Sequence, residues 1–170
     1  MNLPDVETDH IAMFDGAEIK RWPDPEPLPA TGQALLSRFL VLPPETLAPV
    51  ARHVYAYYRD TMELLDGDGW PDHPLPQIEK AEAIWPHVTP LAISLQEGSH
   101  TDEAWYVSVE ANVPWEAEHG LQMVWRDGTE IVKVGRVDGH VTNADAYDDD
   151  NLANVVHKAM IEKWTTLRDV

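Results

Sequence analysis

Two short stretches hold most of the side chains that can do chemistry. The first, "PWEAEHGLQMVWRDG" over residues 114–128, sets Glu116, Glu118 and His119 ahead of an apolar run. The second, "VDGHVTNADAYDDDN" over 137–151, carries Asp138, His140, Asn143, Asp145, Asp148, Asp149 and Asp150 with no Lys or Arg. Imidazoles and carboxylates ligate divalent cations, so a fold that brought the two stretches together would offer His119, Asp138, His140 and Asp145 to one metal. Neither stretch builds such a site alone. A helical zinc motif needs two His four apart on one face. Here a single His precedes residues that alternate as a strand, where Glu116 and Glu118 project to one side and His119 to the other. Asp, Asn and Gly are also the ordinary residues of turns and caps. Glu116–Gly120 is therefore read first as the polar bend that admits a hairpin, its charges available for recognition. No cofactor is required; a divalent metal on the His/Asp set is the alternative.

Other catalytic patterns do not form. Serines stand at 37, 94, 99 and 108, none within a G-x-S-x-G elbow, and neither a Walker loop nor G-x-G-x-x-G occurs. Asp66-x-Asp68-Gly69 opens like a calcium loop, but the twelfth position, where a glutamate is needed, is Gln77. The chain has no cysteine, which excludes thiolate chemistry and disulfides. No catalytic residue is assigned, and the expectation leans away from an enzyme.

Charge sets the expected partner. Twelve basic residues against 30 acidic ones leave a formal charge of −18. Phosphate backbones and anionic membrane surfaces are repelled by such a field, whereas a basic protein is drawn in. Glu116, Glu118, Asp145, Asp148, Asp149 and Asp150 are the expected partner-binding acids. The first residues, "MNLPDVETDH", lack the basic and apolar regions of a secretory signal, and no run of about 18 apolar residues would span a membrane. A cytoplasmic protein is expected.

These residues must be positioned by one domain, since a chain of 170 residues buries about 70% of its unfolded surface in a single core. Alternation around Asp15-Gly16 predicts an N-terminal hairpin over 10–22, and prolines at 23, 25, 27 and 29 make 23–29 a connector. Three- and four-residue spacing of apolar side chains predicts a helical region over 31–85, with its longest amphipathic stretch at 45–65. Period-two patterns and Asp127-Gly128 predict a β-meander over 91–136. An aspartate run ahead of Leu152, Val155, Val156, Ala159, Met160 and Trp164 predicts a C-terminal helix over 149–167. The order implies an α+β fold: an antiparallel sheet of hairpins with helices mainly on one face.

Residues 115–147, "WEAEHGLQMVWRDGTEIVKVGRVDGHVTNADAY", carry a W-E-x-E-H-G-L-Q-h-V-h-R-x-G hairpin (h apolar) followed by V-G-x-x-D-G-H-h-T-N-A-D-A. This combination resembles a bacterial family of uncharacterised proteins. "RHVYAYYRD" (52–60) and "IWPHVTP" (84–90) are similar to its upstream pattern, so the resemblance spans about 100 residues. The family pattern implies a cysteine near 111–113, where this chain has Ala111, Asn112 and Val113. The resemblance implies no reaction and carries over no catalytic residue. Small acidic bacterial families of this style are often immunity proteins, by analogy of type rather than of motif. Three readings are thereby carried: an immunity- or antitoxin-like protein that neutralises a basic toxin, a metal-dependent enzyme or metal-binding domain, and a structural or regulatory domain without chemistry.

Overall fold

The computed structural model describes residues 6–22, 27–65 and 74–169. Residues 23–26 of the proline connector and the calcium-like stretch at 66–73 lie outside them. Six strands lie side by side in chain order: β1 (Glu7–Ile11), β2 (Ala17–Arg21), β3 (Thr89–Glu97), β4 (Trp105–Asn112), β5 (Leu121–Arg126) and β6 (Glu130–Gly135). With helices packed against the sheet, the fold is α+β. Neighbouring strands run antiparallel except β2 and β3, which pair parallel at Lys20↔Ala92 and Arg21↔Ile93. The sheet is thus mixed, not wholly antiparallel as expected. The cause is the long connection from β2 to β3, which contains α1 (Ala30–Leu40) and α2 (Ala51–Leu64). A parallel neighbour needs a crossover of about a dozen residues or more, which a hairpin turn cannot supply and this helical connection does.

Both helices cover one face. Leu35, Leu36 and Phe39 of α1, with Val54, Tyr58 and Met62 of α2, share a core with Ile93, Val107, Val109, Met123 and Trp125. Phe39 meets Trp125 edge-on, with ring centroids 5.2 Å apart. The amphipathic stretch expected from residue 45 is divided: a 3₁₀ turn at Pro44–Leu47 precedes α2, which begins only at Ala51. Pro49, without an N–H and with its ring against the preceding turn, prevents a continuous helix. The end of the helical region expected over 31–85 is likewise reduced to 3₁₀ turns, Ala81–Ala83 and Trp85–His87.

Both Asp-Gly hairpins form, the first over Glu7–Arg21 rather than 10–22, with a 3₁₀ turn at Ala12–Phe14 ahead of Asp15-Gly16. Asp127 and Gly128 take φ of 50° and 71°, the left-handed pair that a tight right-twisted turn needs. Gly120 has φ of 68°, and a Cβ there would stand 2.7 Å from the carbonyl oxygen of Ala111. That close approach is what the glycine in the Glu116–Gly120 bend permits. On the far face of the sheet, Tyr106, Val124 and Val132 are buried beneath Val141. Tyr106 and Ser108, on the side of β4 that alternates with Val107 and Val109, are covered too; Asn112, further along the strand, is exposed.

The C-terminal helix over 149–167 does not form. In its place stand α3 (Asn143–Tyr147), a 3₁₀ turn at Asp150–Leu152, β7 (Val155–His157), a 3₁₀ turn at Glu162–Trp164, and β8 (Thr166–Leu167), which pairs with β7. Tertiary partners claim the backbone groups that a helix would bond internally. Asn143 Nδ2 donates to the carbonyls of Val155 and Val156 at 2.9 and 3.0 Å, and Asp60 accepts from the amides of Met160 and Ile161. β-branched Val155 and Val156 are buried as strand residues, whereas Met160, expected in the apolar face, is 80% exposed.

The Thr166 hydroxyl accepts from the amide of His157 at 3.2 Å and lies within hydrogen-bond distance of His53 Nδ1, 2.7 Å away. His53 is buried, and burial, with the Arg52 charge beside it, pushes its pKa down to about 4. The neutral ring therefore stabilises the fold above the unfolded value of 6.5, and that contribution is lost as pH falls toward 4. Urea unfolding should give wild type a loss of roughly 2–3 kcal/mol from this group between pH 7.5 and 4.5 that His53→Gln lacks. Identical pH dependence in the two proteins would contradict a buried neutral imidazole.

Candidate functional site

A groove of about 660 Å³ opens between α2, the end of β6, α3 and the turn after β7. Tyr57, Asp60, Thr61 and Leu64 reach it together because three- and four-residue steps place them on one face of α2. Lys133 and Arg136 enter from β6 and the turn beyond it, Asp138 and His140 from the following loop, and Asn143 and Tyr147 from α3. His157, Lys158 and Met160 complete it, with Glu116 from the bend between β4 and β5.

Lys133 is 2% exposed, and each of its three N–H bonds has an acceptor. It pairs with the Asp138 carboxylate and donates to the His140 carbonyl at 3.0 Å and to Gln122 Oε1 at 3.3 Å. Gln122 Nε2 donates in turn to Ser108 Oγ at 3.0 Å. Burial pushes the ammonium pKa down while Asp138 pulls it up. A buried cation is tolerated only when paired and hydrogen-bonded, and this one spends all its donors on the structure. Lys133 fastens the loop that covers the far face of the sheet.

The second buried pair is left incomplete. Asp60 is 4% exposed; its Oδ1 accepts from Ile161 N at 2.8 Å and its Oδ2 from Met160 N at 2.9 Å. His157, 3% exposed, has Nδ1 3.1 Å from the Val134 carbonyl, a contact only an N–H can make. Burial pushes its pKa down, which keeps the ring neutral, so Nε2 carries a lone pair. That atom has no hydrogen-bond partner and lies 3.8 Å from Asp60 Oδ2. Two acceptors thus face each other without a donor between them. Nearby, Tyr57 donates to the Gly120 carbonyl at 3.0 Å, and burial raises its phenol far above the usual range. Tyr57 ties the Glu116–Gly120 bend to α2.

The bend itself is stapled by one carboxylate. Glu116 Oε1 accepts from the amides of Glu118 and His119 at 3.3 and 3.2 Å and lies 3.4 Å from His119 Nδ1. Of the residues singled out from sequence, Glu116, Asp138 and His140 line the groove. Asp145 lines a shallower cleft of about 430 Å³ together with His100 and His140, and accepts from the His100 amide at 2.7 Å. Glu118, Asp148, Asp149 and Asp150 line neither. Asp149 caps the next 3₁₀ turn through the Asn151 amide, and Asp148 ends α3 with φ of 50°. Among the described residues, His119, Asp138, His140 and Asp145 do not converge, and no three His, Asp or Glu side chains form a metal-binding group.

Asp60, His157, Leu64 and Met160 escaped the sequence reading. Asp60 sits one step from the apolar stripe of α2 and reads as solvated, and His157 lies in a segment whose spacing mimics a helix.

A family described as a domain of unknown function, DUF6985, matches residues 4–141, and the chain belongs to that family. No curated protein and no solved structure matches it. The match ends before α3 and β7, so one wall of the groove lies beyond it.

Asp138→Asn should cost about 3 kcal/mol in urea unfolding at pH 7, because it strands a buried ammonium. Lys133→Met, which leaves only a partly exposed carboxylate, should cost clearly less. Equal losses, or the reverse order, would show that Lys133 does not depend on this partner.

Proposed function

We propose that this chain is a protein-binding domain whose recognition face is the groove between α2 and the C-terminal segment. One observation carries the reading. Four large exposed apolar side chains, Leu64, Leu65, Tyr147 and Met160, gather along this single groove. Apolar side chains scattered singly are ordinary, but a cluster at a concave, polar-floored site is the usual anatomy of a recognition surface.

The formal charge of −18 makes the occupant a segment of a basic protein. Glu116 stands inside the groove, and the exposed acids Glu118, Asp148 and Asp150 lie on segments next to it. They supply long-range attraction while the apolar side chains supply contact. Asp145 and Asp149, already engaged as turn and cap acceptors, have the smaller part. In its finer form the proposal is a cytoplasmic bacterial immunity- or antitoxin-like protein that occludes a basic toxin. Among the described residues no helix is long and apolar enough to cross a membrane.

The test is calorimetric titration with a basic protein encoded beside this chain. Leu64→Asp and Met160→Asp should each weaken binding by about tenfold or more, and rising salt should weaken it further. Val41→Asp, at an exposed apolar position outside the groove, should leave affinity unchanged. Absence of any basic partner, or an equal effect of the Val41 control, would overturn the proposal.

A further inference from the structure

The Asp60–His157 pair belongs to a site short of one hydrogen-bond donor. A buried carboxylate ordinarily has a cation beside it, yet among the described residues Asp60 has two amides and, 3.8 Å away and beyond hydrogen-bond reach, the His157 imidazole. The imidazole is 3% exposed, its Nε2 has no partner and less than 1 Å² of accessible surface, and both residues line the groove, so a donor reaches the two acceptors only by parting the groove floor. A donor shared by Asp60 Oδ2 and His157 Nε2 would satisfy both acceptors, and a cationic donor would also offset the carboxylate charge. Around this polar floor stand Leu64, Leu65 and Met160, which fit a hydrocarbon stem rather than a bare ion.

We infer that the groove is a pocket for a primary ammonium on an aliphatic chain, that is, for a lysine side chain of the bound partner. The inference rests on the protein-binding reading and names the residue recognised. Arg136 and Lys158 line the same groove, and neither has an acidic partner among the described ion pairs. They set a restriction: the lysine must arrive with a carbonyl or carboxylate close by, as in a peptide, because a naked polyamine would meet two uncompensated cations.

Nitrogen-detected NMR of the full chain labelled with ¹⁵N-histidine reads this directly at pH 7.5. The probe is Nα-acetyl-lysine methylamide, and its comparison compound carries a second acetyl group on Nε. The lysine probe should shift the His157 Nε2 resonance saturably, and the Nε-acetylated compound, which lacks the charge, should bind about tenfold more weakly. Asp60→Asn should weaken the probe by a similar factor. Because that variant also loosens the turn at Met160 and Ile161, the comparison of the two probes on wild type decides by itself. An unmoved His157 resonance, or equal binding of both probes, overturns the inference. If the basic partner binds while the lysine probe does not, this inference fails and the protein-binding reading stands. If the probe binds while no basic partner does, the reverse holds.

Discussion

A carboxylate almost wholly removed from water must find donors, and Asp60 finds them in backbone 100 residues further along the chain. The amides of Met160 and Ile161 that it holds belong to a segment whose own spacing favours a helix. Once those two donors are committed to α2, the helix cannot propagate through them. The chain from 155 onward runs instead as β7, a turn and β8, packed beside β6 and against α2. His157, Lys158 and Met160 of this segment form the groove wall that faces α2.

The same logic governs the far face of the sheet. Ser108, Gln122 and Lys133 lie on neighbouring strands and form one buried polar chain that ends at Asp138 and the His140 carbonyl. Placing a lysine under a loop is costly without full pairing, and the loop supplies both a charge and a carbonyl. Beside this polar chain, Val141 closes over Tyr106, Val124 and Val132. The D-G-H stretch, which looks from sequence like a ligand set, owes its composition to this lid. Its aspartate neutralises Lys133, Gly139 takes a φ of 81°, and the backbone of His140 rather than its ring makes the principal bond.

This contrast explains what the sequence disclosed. Strands, hairpins and the helical face of the sheet were legible, because period-two alternation in β4 and Asp-Gly at 127–128 encode local geometry that tertiary contacts do not override. The Glu116–Gly120 bend was legible for the same reason. The parallel β2–β3 pair was not, since it is decided by a crossover whose path no local pattern records. Nor was the site. Asp60 and His157 acquire their character from one another, and periodicity around each points to a different environment: a solvated helix face for Asp60, a helical stripe for His157. The four residues grouped from sequence as a ligand set are separated by the fold: Asp138 pairs with Lys133, Asp145 accepts from the His100 amide, and His119 lies beside Glu116.

The charge of the molecule and the character of the groove now have to be reconciled. A body of −18 presents a groove whose three carboxylates, Asp60, Glu116 and Asp138, are matched in number by Lys133, Arg136 and Lys158. On the proposed protein-binding reading, the acidic field acts at a distance, raising the encounter rate of a basic partner, while selection happens in a locally balanced site where screening is weak. Within it, Lys133 already consumes Asp138; Asp60 and Glu116 accept from backbone amides but have no Lys or Arg partner among the described ion pairs, and Arg136 and Lys158 have no acidic one. A segment carrying one cationic side chain and nearby backbone carbonyls meets both sets at once. On the same reading a polyanion would meet the repulsive field of the −18 body before the two basic side chains could engage it.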